Sequence, residues 1–197
     1  PRGRSWLNAA WRSLRAKFRL TSSEDSVKLS PAAREGFARW AAELSAEHHA
    51  GVPLASRAMG AVGDAGVGAI YADASDVGYA AWTVHERELV YVVGEWSDIV
   101  RDTVPIHGKE LQASTLGLVA LADECDLRDV WSFTDNIVAQ YAMRDGTSRS
   151  HEMQPLIARR SSWMLHRGIL EASERITSKA NLWADLGSRE QISEVIR

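Results

Sequence analysis

The stretch Val67–Ala74, VGAIYADA, decides the fold. Gly68, Ile70 and Ala72 alternate with Ala69, Tyr71 and Asp73, between Gly-rich sequence upstream and Ser75, Asp76 and Gly78 downstream. That is the pattern of a strand bounded by turns. Two more strand-like runs follow at once, at 78–84 and 88–96, so the three predict an antiparallel meander with the first strand central. An acid on a central strand is expensive to bury alone. Asp73 therefore needs a base, a hydrogen-bond network or a metal beside it, and three later acids, Glu110, Asp135 and Asp185, have the spacing to share such a site.

The bulk properties narrow the class. At 197 residues the chain is long enough for one full domain and an appendage. Hydrophobic content of 45% with 25% charged residues describes an ordinary globular protein. No apolar run approaches the ~18 residues of a membrane span. Cys125 is the only cysteine, which excludes an intrachain disulfide and a cysteine-based zinc site and makes a reducing, intracellular setting the expectation. The chain starts at Pro1 with no charged-then-apolar leader, so it reads as a piece of a larger protein.

A net charge of −3 argues weakly against a dedicated nucleic-acid binder, but it averages over an asymmetry. Residues 1–20 carry six cations and no acid, and residues 144–189 carry eight cations against five acids. Either run serves as a basic patch or as a solvated helix face.

Going outward along the chain, Leu7, Trp11, Leu14 and Phe18 predict an amphipathic basic helix over 5–20. Ser30 and Pro31 open a second helix, expected to run to about 49, with Ser as N-cap and Pro at the first helical position. His48 and His49 are adjacent and point in different directions on a helix, so they read as surface residues. Residues 51–66 are the clearest linker, separating a helical extension over 1–50 from a main domain over 67–197. After the meander, 97–107 crosses to a helix over 109–124, in which Glu110, Ser114, Gly117 and Leu121 share a face. The small residues on that face let the helix lie close to the sheet and bring Glu110 toward the first strand. A short apolar run at 129–134 ends on Asp135, the usual place for a ligand or metal site in an α/β sheet. Helices over 137–142 and 150–166, a strand over 169–176 and a helix over 181–188 carrying Asp185 complete the prediction.

Four carboxylates gathered together repel by several kcal/mol at low effective dielectric, so a polycation must join them when all are ionised. Oxygen ligands without His or Cys favour Mg²⁺ or Mn²⁺ over zinc. Two such ions suit in-line displacement at phosphorus. Spacing alone leaves this reading open beside a plainer one, four unrelated surface acids drawn from 26.

The strings around those acids carry a resemblance. IYADASDVGYAAW around Asp73, IHGKELQA around Glu110, WSFTDNIVAQYAMRDGTSRS around Asp135 and KANLWADLGSR around Asp185 resemble the RNase H domain of retroelement reverse transcriptases. Together they span most of 68–189, and they look most like the DIRS-like group of retrotransposons. Upstream, LSPAAREGFARWAAEL resembles the helix joining polymerase to RNase H, and the basic helix before it the end of a polymerase thumb or connection.

The resemblance implies an α/β fold of RNase H type: a five-stranded mixed sheet with helices on both faces. It implies two-metal hydrolysis of the RNA strand of an RNA/DNA hybrid, with two Mg²⁺ ions for which Mn²⁺ can substitute. Asp73 would bridge both ions, Glu110 and Asp135 would hold the one on the leaving-group side, and Asp185 the one that activates water. Products would carry 5′ phosphate and 3′ hydroxyl ends. Asn136, Ser75 and the backbone around 73–76 are candidates for 2′-hydroxyl contacts, and Arg144, Arg149 and Lys179 for phosphates.

Two departures stand out. The His-x-Pro-Gly-like stretch of related elements is replaced by Arg175 to Lys179, with no His between Gly168 and Asp185, so Lys179 is the candidate for its role. There is also no lysine-rich hybrid-binding protrusion, which shifts affinity to an upstream polymerase portion. His107 and His151 read as structural or surface residues. The competing class is a domesticated RNase H-like docking module inside a larger assembly, and four retained acids argue against it. A nuclease or integrase of the same superfamily is disfavoured by the complete Asp-Glu-Asp-Asp set.

Overall fold

The computed structural model describes residues 30–45, 59–150 and 152–189. The chain divides between Arg57 and Ala58 into two units, each described by itself. The helix expected over 5–20, His48, His49, His151 and residues 51–58 of the predicted linker lie outside the described residues. In the first unit, α1 (Pro31–Ser45) starts as its sequence dictates: Ser30 Oγ accepts the Ala33 N–H at 3.2 Å, and Pro31 takes the first helical position.

The second unit is built on a five-stranded sheet. β1 (Val67–Ala74), β2 (Gly78–His85) and β3 (Glu88–Glu95) form the expected meander. β4 (Asp129–Thr134) and β5 (Leu170–Arg175) add parallel pairs, giving the order β3-β2-β1-β4-β5 with β1 at the centre. Register is fixed by Tyr71, which faces Trp82 across the antiparallel pair and Phe133 across the parallel one. The three rings stack, with centroids 4.1 and 4.8 Å apart, along one face of the sheet. Among the described residues no helix is long and apolar enough to cross a membrane.

Helices fill the connections. Residues 97–107, expected as a plain crossing, contain α2 (Asp98–Thr103), because Ser97 caps it by accepting the Val100 N–H and Asp98 complements its first turn. α3 (Ile106–Glu124) begins three residues before the predicted start. Pro105, in extended conformation at the N-cap, offers its carbonyl to the Gly108 and Lys109 N–H groups and closes the first turn early. α4 (Ile137–Asp145) is capped by Asn136 and ends at Gly146, whose φ of 62° supplies the left-handed residue of a helix stop. α5 (Met153–Arg167) starts three residues later than predicted and stops at Gly168, φ 68°. α6 (Leu182–Ser188) is the last described helix.

The core lies between α3 and one face of the sheet, where Ile70, Ala72, Ala81, Leu118, Leu121 and Val130 are all within a few per cent of full burial. The distance is set by Gly117, at which a Cβ would collide with that of Ala81. A second cluster, Leu111, Ala139, Ala142, Met153 and Ile157, packs α4 and α5 against α3. Periodicity places Arg160 on the buried face of α5, and its surroundings are polar. The guanidinium pairs with Glu171 of β5, both nearly fully buried, and donates to Thr115 at 3.1 Å and to Ser114 and Ser132 at 3.3 Å. A hydrogen-bonded pair of this kind tolerates joint replacement better than loss of one partner. Arg160→Leu alone is expected to cost about 3–5 kcal/mol in urea unfolding, and Arg160→Leu with Glu171→Met to recover most of it.

Candidate active site

Asp73 and Asp135 meet because β1 and β4 are parallel neighbours. Their last paired residues are Tyr71 and Phe133, and each acid lies two positions further on its chain, at the carboxyl end of the sheet. Glu110 reaches the same corner from the second turn of α3, which the Gly117 contact holds against the strands. One carboxylate oxygen from each of Asp73, Glu110 and Asp135 lies within 4.8 Å of the other two. Asp73 and Glu110 are 4% and 5% exposed, and Asp135 is half-buried at the open side.

Each acid has a donor of its own. Asp73 Oδ2 accepts from Ser188 Oγ at 2.9 Å, and Asp135 Oδ2 from Ser178 Oγ at 2.6 Å. Glu110 accepts from the main chain of Ala74, but its Oε2 is buried with no hydrogen-bond partner among the described residues. At that spacing, and at an effective dielectric near 20, like charges repel by roughly 3 kcal/mol per pair. Burial first, and then the charges of Asp73 and Asp135, push the Glu110 carboxyl up to about 9. Burial likewise raises Asp73 to about 7, with Asp135 and Asp185 adding to the rise and the Ser188 hydrogen bond opposing it. The donor set is all hard oxygen and carries an unpartnered buried carboxylate oxygen, and it fits a divalent cation of the Mg²⁺ or Mn²⁺ kind.

The other predicted residues are distributed as follows. Asp185 lies on α6 with its carboxylate 2.9 Å from Arg189 Nε, and it is not among the three acids whose oxygens cluster. Ser75 is buried and committed internally: its hydroxyl accepts the Val77 and Gly78 N–H groups at 3.1 Å and donates to the Ser188 carbonyl. Asn136 uses its oxygen to cap α4, at 3.0 and 3.1 Å, and its amide nitrogen has no partner among the described residues. Arg144 pairs with Asp145 at 2.8 Å and sits over the Tyr141 ring. Arg149 and Lys179 are exposed and make no ion pair among the described residues.

Three residues near the acids were missed by sequence reasoning. Ser188 carries a legible signal, because it stands three residues after Asp185 on one helix. Ser178 carries none, since its reach to Asp135 depends on how the loop after β5 folds. Lys109, 3% exposed, extends to Asp76 at 3.2 Å and ties the turn between β1 and β2 to the start of α3. A lysine beside the motif glutamate gives no hint of burial.

Asp73 and Glu110 hold protons in the native state to a higher pH than they do unfolded. Their contribution to stability is intact below about pH 4 and is lost as pH rises through about 7 for Asp73 and about 9 for Glu110. In chelator, calorimetry should therefore give a lower melting temperature at pH 8 than at pH 5. Glu110→Gln should be more stable than wild type at pH 8, with the gap closing toward pH 5, and saturating Mn²⁺ should flatten the wild-type profile.

No family profile matches the sequence, and no curated protein matches it. Solved structures do. RNase H1 from the halophilic archaeon Halobacterium salinarum superposes with a TM-score of 0.51 at 15% identity, over 65% of this chain and 98% of that one. LC11-RNase H1 in complex with an RNA/DNA hybrid gives 0.47 at 15% identity, over 66% and 99% of the two chains. The foamy viral protease-reverse transcriptase in complex with double-stranded DNA gives 0.41 at 8% identity, over 90% of this chain and 31% of that one. With its mixed sheet in the order β3-β2-β1-β4-β5 and helices against it, the chain has the RNase H-like fold.

Proposed function

We propose that this protein is a ribonuclease H that hydrolyses the RNA strand of RNA/DNA hybrids, with two divalent cations, Mg²⁺ by preference, as part of a retroelement reverse transcriptase. The observation that carries the reading is the convergence of Asp73, Glu110 and Asp135 at the carboxyl ends of β1 and β4 on this fold. The motif strings around those acids support it independently, and they favour the DIRS-like group and a polymerase portion upstream of residue 50. On this reading residues 1–50 are the connection and 51–66 the linker to the nuclease.

The three clustered acids, joined by Asp185 from α6, would hold the cations. Bound there, such ions lower the pKa of water and neutralise charge at the phosphate. The chain's own part is positional. Asp73, near the end of β1, meets the end of α6, where Ser188 holds one of its oxygens. Asp135 stands at the solvent side, where a phosphate can approach. Hydrolysis joins the water oxygen to phosphorus and breaks the bond to the 3′ oxygen, which leaves as the hydroxyl and gives a 5′ phosphate on the other fragment. Asn136 has an amide donor free beside this corner for a 2′-hydroxyl. Arg149 and Lys179 are the candidates for phosphates, Arg144 being already paired with Asp145.

A labelled RNA/DNA hybrid with Mg²⁺ or Mn²⁺ should be cut in its RNA strand only, with RNA duplex and DNA duplex untouched. Asp73→Asn, Glu110→Gln and Asp135→Asn should each lose more than about a hundredfold, exceeding the usual effect of residues one shell further out. A folded protein that cuts nothing with either metal would sink the enzyme reading in favour of a docking module. In hybrid-binding titrations, Arg149→Ala and Lys179→Ala should each lower the salt dependence by about one charge. An unchanged slope would remove that residue from the interface.

A further inference from the structure

Ser188 is fully buried at the end of α6, and the proposed chemistry does not use it directly. Its hydroxyl lies 2.9 Å from Asp73 Oδ2 and 2.9 Å from the main-chain carbonyl of Asp185. One proton cannot serve both. An ionised carboxylate is the stronger acceptor, so the hydroxyl donates to Asp73 when that group is charged. The i, i+3 spacing of Asp185 and Ser188 on α6 brings this about, since it sets the hydroxyl over the preceding turn while the helix end abuts β1.

The helix does not need this hydroxyl in order to dock. Asn181 Nδ2 donates to the Ala72 carbonyl at 3.0 Å, Tyr91 Oη to the Trp183 carbonyl at 2.6 Å, and Ser75 Oγ to the carbonyl of Ser188 itself. Gly187 lets α6 sit directly on Tyr91 and Ala80, where any Cβ would collide. With the helix held at three other points, what the Ser188 hydroxyl adds is a constraint on the Asp73 carboxylate. We propose that Ser188 is a positioning residue: by donating to Oδ2 it fixes the rotation of the Asp73 carboxylate toward Glu110 and Asp135, and so couples the helix bearing Asp185 to the central acid. This rests on the reading of the three acids as a divalent-cation site. A hydroxyl holding a ligand in this way commonly accounts for about 10–100-fold in metal affinity.

The test is direct Mn²⁺ binding, followed by electron paramagnetic resonance on the full chain, in wild type, Ser188→Ala and Tyr91→Phe. Both variants should melt below wild type, because each removes a hydrogen bond that holds α6, a buried one at Ser188 and an exposed one at Tyr91. Only Ser188→Ala should bind Mn²⁺ about tenfold or more weakly, while Tyr91→Phe, which loosens the same helix without touching a carboxylate, stays within about twofold. Ser188→Cys keeps the volume with a far weaker donor and should fall between, which carries the test if the alanine variant does not fold. Wild-type affinity in Ser188→Ala or Ser188→Cys would overturn the proposal, as would an equal loss in Tyr91→Phe, since the hydroxyl would then act by anchoring the helix alone. A wild-type protein that binds no Mn²⁺ overturns the metal-site reading itself, a failure visible before any variant is compared.

Discussion

Three carboxylates with an oxygen each held within 4.8 Å of one another, Asp73 and Glu110 almost fully buried, are the constraint on which the rest depends. Left to themselves they would separate, so every element around them works against repulsion. Parallel pairing fixes Asp73 and Asp135 side by side, and α3 delivers Glu110. Donors from Ser188, Ser178 and the Ala74 main chain offset part of the charge, and Glu110 Oε2 receives none among the described residues. Burial first, and then the neighbouring carboxylates, make Asp73 and Glu110 keep protons up to about 7 and about 9, and the same charges make a hard divalent cation the natural counter-charge.

Such a site demands rigid walls, and two close approaches supply them. At Gly117 the backbone of α3 comes down onto Ala81, and at Gly187 that of α6 comes down onto Tyr91 and Ala80. Between those contacts the sheet is clamped from both faces near the acids. Further out, the buried Arg160 and Glu171 pair with Ser114, Ser132 and Thr115 to join α3, α5, β4 and β5 through polar contacts. A network of that kind ties the supporting helices in one arrangement more specifically than apolar contacts alone could, since each donor must find its own acceptor.

Much of the frame was legible because strands announce themselves locally. Alternation and bounding turns placed Val67–Ala74 and Asp129–Thr134 as strands with the bounds the structure has, and each delivers its acid to the same end of the sheet. Helix starts were less legible. α3 begins at Ile106 because the Pro105 carbonyl closes a turn, and α2 exists because Ser97 caps it, effects of a few atoms that a periodicity reading over many residues passes over. Arg160 shows the same limit in the core, where spacing predicted the buried face and was silent about Glu171, 11 residues away.

The sequence by itself determined the strand pattern, the central acid and the order of the motif acids, because these depend on residue type and near-neighbour spacing. Only the tertiary structure decided which acids share a corner: Asp73, Glu110 and Asp135 do, while the Asp185 carboxylate turns to Arg189, the residue just past the end of its helix. It likewise decided that Ser75 closes a turn and that Ser178 and Ser188, from distant parts of the chain, supply the carboxylates with donors. The physical reason is range. Propensity and alternation act within a few residues, whereas repulsion between buried charges and the hydrogen bonds that answer it act across whatever the fold brings together.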